Sequence, residues 1–229
     1  MTKAFYDTFI IVLSGLMPII NPPATALLFL TVTRRASREV RQFLARKIAI
    51  NAIFVILPSM YFGAFVLQMF GISIPVLRLA GGLVLAAAGW RLLHAPTGDS
   101  EAGSDATPHD KNLKDMAFYP LTMPLTTGPG TIAVSIAVGS TRSRPGTAPL
   151  EVVLGNIAGG LLAVAITVLT IYFCYRYADR LEDKVGHTGS EALSRVFAFM
   201  LICLGVQILW NGFADLWVDL AQRAAAVPN

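Results

Sequence analysis

Charge is scarce in this sequence. Of 229 residues only 14% are Asp, Glu, Lys or Arg, against 55% hydrophobic, whereas a water-soluble domain carries about a quarter charged residues. That shortage excludes an ordinary soluble globule, and a mean hydropathy of +0.61 points to a membrane protein. No Asp or Glu lies in the interior of any expected span; Asp7, Asp215 and Asp219 stand near the termini, Asp215 two residues from the end of the last span. Intramembrane carboxylates are the usual proton relays of pumps and coupled transporters, so proton coupling lacks its ordinary carrier here. Sodium coupling through carbonyl, Asn and Thr oxygens stays open, as does uncoupled export down a gradient. Cysteine is limited to Cys174 and Cys203, both inside apolar runs, which argues against a disulfide framework. His94, His109 and His187 fall in separate loops without ligand spacing, which argues against a metal site. No nucleophile elbow, Walker loop or His-Glu-x-x-His motif appears, so nothing points to an embedded enzyme or a cofactor. No small-residue cleavage site follows the first apolar run, which therefore reads as a permanent span.

What is present is a series of long apolar runs. A span needs about 20 apolar residues, because the hydrocarbon core is about 30 Å thick and a helix rises about 1.5 Å per residue. Six stretches qualify: 8–33, 48–70, 72–93, 117–140, 152–175 and 196–217. Between the first two lies a basic loop, RRASREVRQFLARK; a linker rich in Gly, Asp and Ser covers 94–116, and a mixed-charge loop covers 176–195. The net charge of +4 sits in short clusters between apolar runs, a pattern of loops facing lipid headgroups rather than nucleic acid. Thirteen of the 18 basic residues follow spans one, three and five or, as Arg91 does, stand at the end of one. By the positive-inside rule those loops are cytoplasmic and both termini lie outside. Trp90, Trp210 and Trp217 fall near span ends, where an indole prefers the interface.

Two of the runs are interrupted. MPIINPPATALLFL (17–30) carries Pro18, Asn21, Pro22 and Pro23, and PLTMPLTTGPGTIA (120–133) carries Pro120, Pro124, Gly128, Pro129 and Gly130. Each interruption is followed about thirty residues later by an Asn, Asn51 or Asn156, and then by a span that opens with Arg78 or Arg195. The order predicts an all-α polytopic fold of six transmembrane helices, arranged as two inverted three-helix repeats with helices 1 and 4 broken. Repeat one is 1–93 and repeat two 117–229. Proline removes a backbone donor and glycine weakens a helix interior. In lipid every freed amide or carbonyl needs a partner, so paired breaks near mid-span are expected to line an inward-facing cavity. Freed carbonyls there suit a cation, and exposed helix N-termini suit a carboxylate.

The candidate substrate-binding residues are the break positions Asn21, Pro22, Pro23, Gly128, Pro129 and Gly130, with Thr25, Thr126, Thr127 and Thr131 beside them and Asn51 and Asn156 further on. Hydrogen-bonded helix–helix packing competes with that reading, most strongly for Asn51 and for Asn156, which sits inside Gly155-x-x-x-Gly159. Arg78 and Arg195 are expected to snorkel to the headgroups. Gln207 and Asn211, one turn apart, either line the same cavity or pack.

Several of these stretches resemble the MarC family of bacterial inner-membrane proteins: NPPATALLFLTVT before a basic loop, LRLAGGLVLAAAGWRLL, PLTMPLTTGPGTIA and SRVFAFMLICLGVQILWNG. At the first break Pro23 fills a place where the family form resembles a small residue such as Gly. The resemblance implies a six-span inner-membrane protein, and relatives grouped with it are similar to transporters of small neutral amino acids. The expectation is therefore alternating-access transport of a small neutral or zwitterionic solute around a midplane site, with a coupling cation such as sodium as one option. A channel of the same fold and a substrate-free assembly or sensory factor are the rival readings. A homo-oligomer is compatible with the sequence but not required by it.

Overall fold

A computed structural model describes residues 1–33, 36–94, 116–142 and 149–225. All regular structure among them is helical: α1 (Thr2–Ile20), α2 (Pro22–Val32), α3 (Arg38–Met69), α4 (Ile74–Leu93), α5 (Ala117–Thr126), α6 (Pro129–Arg142), α7 (Leu150–Arg176) and α8 (Ala178–Ala225). Five helical stretches are long and apolar enough to cross a membrane, with α1 and α2 counted together as one. The expected fourth span is instead two pieces, α5 and the short apolar α6.

The helices overrun the expected boundaries. Most of the basic loop is the first turns of α3: Ser37 caps it by accepting from the Val40 amide at 3.3 Å, and Glu39 stands in the first turn. Such an Asx/Ser-type cap beside an acidic first turn is a helix start, and the apolar count had concealed it. The 176–195 loop is likewise largely helical, reduced to a turn at Tyr177 and a break at Gly186 (φ 74°) within α8. Asp7, Asp215 and Asp219 therefore lie on helices rather than beyond them. Of the 94–116 linker only His94 and Met116 fall within the described residues, and Arg34, Arg35, His109 and Arg144 fall outside them.

Packing follows the small residues. The α4–α8 contact is the most extensive in the molecule, and the two helices run antiparallel along a glycine seam. A Cβ on Gly82 would lie 2.6 Å from the Gly205 carbonyl, and one on Gly205 would lie 2.7 Å from the Gly82 carbonyl. Gly89 meets Ala198 and Gly212 meets Pro75 in the same manner. Close backbone approach of this kind drives helix association where no hydrophobic effect operates. On the other side α1 lies along α7, with Gly155 against Met1 and Gly159 against Phe5. The arms α1 and α6 meet where Gly15 faces Val134 and Val138, and α6 is also wedged against α3 at Gly63 and Gly139.

The seam predicts opposite outcomes for two glycine substitutions. Gly205→Ala puts a methyl 2.5 Å from the Ala86 amide nitrogen, and overpacking of this kind costs about 1–3 kcal/mol. Its thermal unfolding midpoint in detergent should fall by several degrees. Gly130→Ala meets only the Leu85 side chain, at 3.2 Å, and should melt close to the parent.

Candidate functional site

The first interruption is a single residue. Asn21 adopts a left-handed conformation (φ 43°, ψ 65°) and serves both as C-cap of α1 and as N-cap of α2. Among the described residues no other non-glycine has positive φ. Asparagine tolerates this region better than most residues, and the α conformation is disfavoured before a proline, so Asn21-Pro22 stops the helix. Pro22 then restarts it, since a first-turn proline has no amide to leave unpaired. With no N–H on Pro22 or Pro23, the carbonyls of Pro18 and Ile19 lose their helical donors. Thr25 serves the other side of the break: its hydroxyl lies 3.2 Å from the Asn21 carbonyl and 3.3 Å from that of Pro22.

The second interruption is longer and more regular. Tyr119 and Met123, each the residue before a proline, are extended (φ −124°, ψ 124° and φ −114°, ψ 126°), as steric clash with the proline ring requires. Each excursion widens the helix to π-type bonding: the Leu121 amide donates to Met116 at 3.3 Å and the Thr127 amide to Thr122 at 2.8 Å. Three buried threonine hydroxyls follow the same five-residue step. Thr122 donates to the Ala117 carbonyl at 2.6 Å, Thr126 to Leu121 at 2.7 Å and Thr127 to Thr122 at 3.2 Å. The PLxxPLxxGPG pattern is thus a π-like arm whose widened carbonyls are satisfied by its own threonines. Past Gly128 the chain enters α6 at Pro129, leaving the Gly130 and Thr131 amides at a helix start that Gly130 holds against Leu85.

One residue joins the two breaks. Tyr175, in the last turn of α7, is buried, with its phenol 2.8 Å from the Thr126 hydroxyl. Its ring stacks on Phe29 of α2, with centroids 4.9 Å apart. Thr25, Thr126, Thr127 and Thr131 are buried, while Pro23 and Pro129 are exposed and Asn21 and Gly128 half-buried. Tyr175 was not among the residues expected from sequence, because a tyrosine near a span end reads as an interface anchor. The signal that could have found it is a four-residue step, Gly155, Gly159, Ala163, Thr167 and Ile171, all buried on α7, which Tyr175 continues.

The remaining expected residues divide. Asn51 joins the second break, its Nδ2 donating to the Thr122 hydroxyl at 3.3 Å. Asn156 does not: it accepts from Thr8 at 2.9 Å, near the start of α1, between the glycines that admit Phe5 and Met1. It is packing glue. Arg78 departs from the snorkelling expectation and pairs with Asp215 of α8, since the longer α8 carries that carboxylate alongside α4. Arg195 is exposed, as snorkelling requires. Gln207 donates to Asn211 at 2.9 Å, and Asn211 lines a cleft beside the Arg78–Asp215 pair rather than the breaks.

If Tyr175 is a genuine link, Tyr175→Phe and Thr126→Val should be coupled. Interhelical hydrogen bonds in membranes average about 0.6 kcal/mol and reach about 1.7 kcal/mol. A double-mutant cycle on unfolding in detergent should return a coupling in that range, and strict additivity would contradict the bridge.

A family model described as "MarC family integral membrane protein" matches residues 6–217. Among curated relatives, inner membrane protein MarC of Citrobacter koseri is 36% identical over 208 residues, covering 88% of this chain and 91% of the relative. The Escherichia coli (strain SMS-3-5) protein of the same name has the same identity and coverage, and that of Salmonella typhimurium is 34% identical over 206 residues with equal coverage. No solved structure matches. With the family pattern running from α1 to α8 and multiple membrane-crossing helices in between, the chain belongs to the MarC family of integral membrane proteins.

Proposed function

We propose that this protein is an inner-membrane transporter of a small neutral or zwitterionic solute, in the class of small amino acids, working by alternating access around the two helix breaks. The observation that carries the reading is the convergence of both broken arms on Tyr175, through Phe29 of α2 and Thr126 of α5. Interrupted helices cluster in transporters because a binding site in lipid needs backbone groups that are not already paired. Here the groups differ in sign. The end of α1 offers the carbonyls of Pro18 and Ile19, which favour an ammonium or a sodium ion. The start of α6 offers the Gly130 and Thr131 amides, which favour a carboxylate.

The packing supports an inverted pair of three-helix repeats. Exchanging α1, α2, α3 and α4 for α5, α6, α7 and α8 carries the α1–α7 contact onto α3–α5, α2–α8 onto α4–α6, α3–α6 onto α2–α7 and α1–α6 onto α2–α5. The α3–α7 and α4–α8 contacts map onto themselves. With three spans per repeat the halves have opposite orientation, and the basic-residue bias puts both termini outside. Tyr175 then closes the cytoplasmic end, while the cleft beside Arg78 lies at the other.

Counterflow into liposomes tests this. Radiolabelled glycine, alanine, serine and threonine should exchange saturably, with or without a sodium gradient, and Gly130→Ala should cut the rate at least tenfold (about 1.4 kcal/mol) while melting like the parent. No exchange of any of the four by well-folded protein overturns the amino-acid reading. Conductance steps in planar bilayers would replace the transporter by a pore.

A further inference from the structure

At the end of the protein opposite Tyr175, a cleft of about 340 Å³ lies between α4, α6 and α8. That volume is at the lower end for small-molecule sites, which run from about 300 to 1,000 Å³. Apolar side chains such as Val134, Ala137 and Ile208 line it together with three polar groups, Arg78, Asp215 and Asn211. The side chains of Arg78 and Asp215 are 27% and 47% exposed. An ion pair this accessible adds little stability, yet both charges stand on membrane-spanning helices, where charge is costly and usually functional. Packing along the glycine seam already holds α4 to α8, so the pair is not needed as a clamp.

We infer that this cleft binds the zwitterionic head of a small α-amino acid, with the Arg78 guanidinium receiving the carboxylate and Asp215 the ammonium. A guanidinium presents a planar fork that matches a carboxylate bidentately. When the zwitterion inserts, one internal ion pair is exchanged for two external ones of matching sign. No charge is left unpaired and the net charge of the cleft is unchanged. Asn211 is pre-set by Gln207, whose Nε2 donates to its Oδ1 at 2.9 Å; its own amide hydrogens are thereby turned from Gln207 toward further acceptors. The rest of the wall is apolar and short, so it selects a neutral, small side chain. Ala137 is about two helical turns, roughly 10 Å, from Gly130 along α6, which makes the cleft an outer station on the way to the second break. The substrate class rests on the transport reading, but the binding chemistry is testable apart from it.

The experiment is equilibrium binding of radiolabelled alanine to the full chain in phosphatidylglycerol nanodiscs, with alaninamide and propionate as competitors. Parent protein should prefer alanine to either competitor by at least tenfold. Arg78→Gln should weaken alanine at least tenfold and erase its advantage over alaninamide; Asp215→Asn should erase the advantage over propionate. Arg78→Lys keeps a cation beside Asp215 and so guards against misfolding; it should melt like the parent and lose affinity only in part. A merely structural ion pair would move melting without moving these ligand preferences. The inference is overturned by equal binding of alanine and alaninamide to the parent, by no saturable binding, or by preferences that survive Arg78→Gln. Loss of alanine binding on adding phosphatidylethanolamine also overturns it, by making a lipid headgroup the occupant. Counterflow with unaltered binding in both charge variants removes the cleft and leaves the transporter. Arg78-dependent binding without counterflow does the reverse.

Discussion

In a bilayer a peptide group has no water to fall back on, and an unpaired amide or carbonyl costs several kcal/mol. Both interrupted helices are shaped by that cost. In α5 the prolines remove amides and force their predecessors into extended geometry, and the arm answers with π-type bonds and three threonine hydroxyls at the same five-residue step. At Asn21 the interruption is confined to one left-handed residue with a threonine one turn later. The two solutions differ, but proline sets the place of both.

The helices around these arms are held by another means. Where α4 meets α8, glycine faces glycine and the backbones touch; where α3 meets α7, the Tyr61 hydroxyl reaches the Ile157 carbonyl at 3.2 Å. Arg41–Asp179 ties the start of α3 to the start of α8, and Arg78–Asp215 ties the start of α4 to a later part of α8. One ion pair therefore stands toward each end of the bundle. The broken arms lie between these two seams, in contact with both.

The membrane class, the apolar segments and both interruptions were legible in the sequence because they depend on composition and on proline chemistry, which act locally. The true helix ends were less so. Ser37 and Glu39 start α3 inside a run dominated by arginines, and hydropathy alone ends a helix where charge begins. Long-range partners were least legible. Asn51 and Asn156 occupy matching places in their halves, yet one reaches Thr122 and the other Thr8, a difference set by which arm each helix lies against. Asp215 looked terminal until α8 extended past it, and Tyr175 drew no notice although it continues the buried four-residue step of α7.

A phenol carries one hydrogen. Thr126 gives its own to the Leu121 carbonyl, so its oxygen is left to accept the hydrogen of Tyr175. The bond therefore has a fixed sense, and the ring that carries it lies stacked on Phe29 of α2. One side chain of α7 is thus gripped by a polar contact on one arm and by stacking on the other.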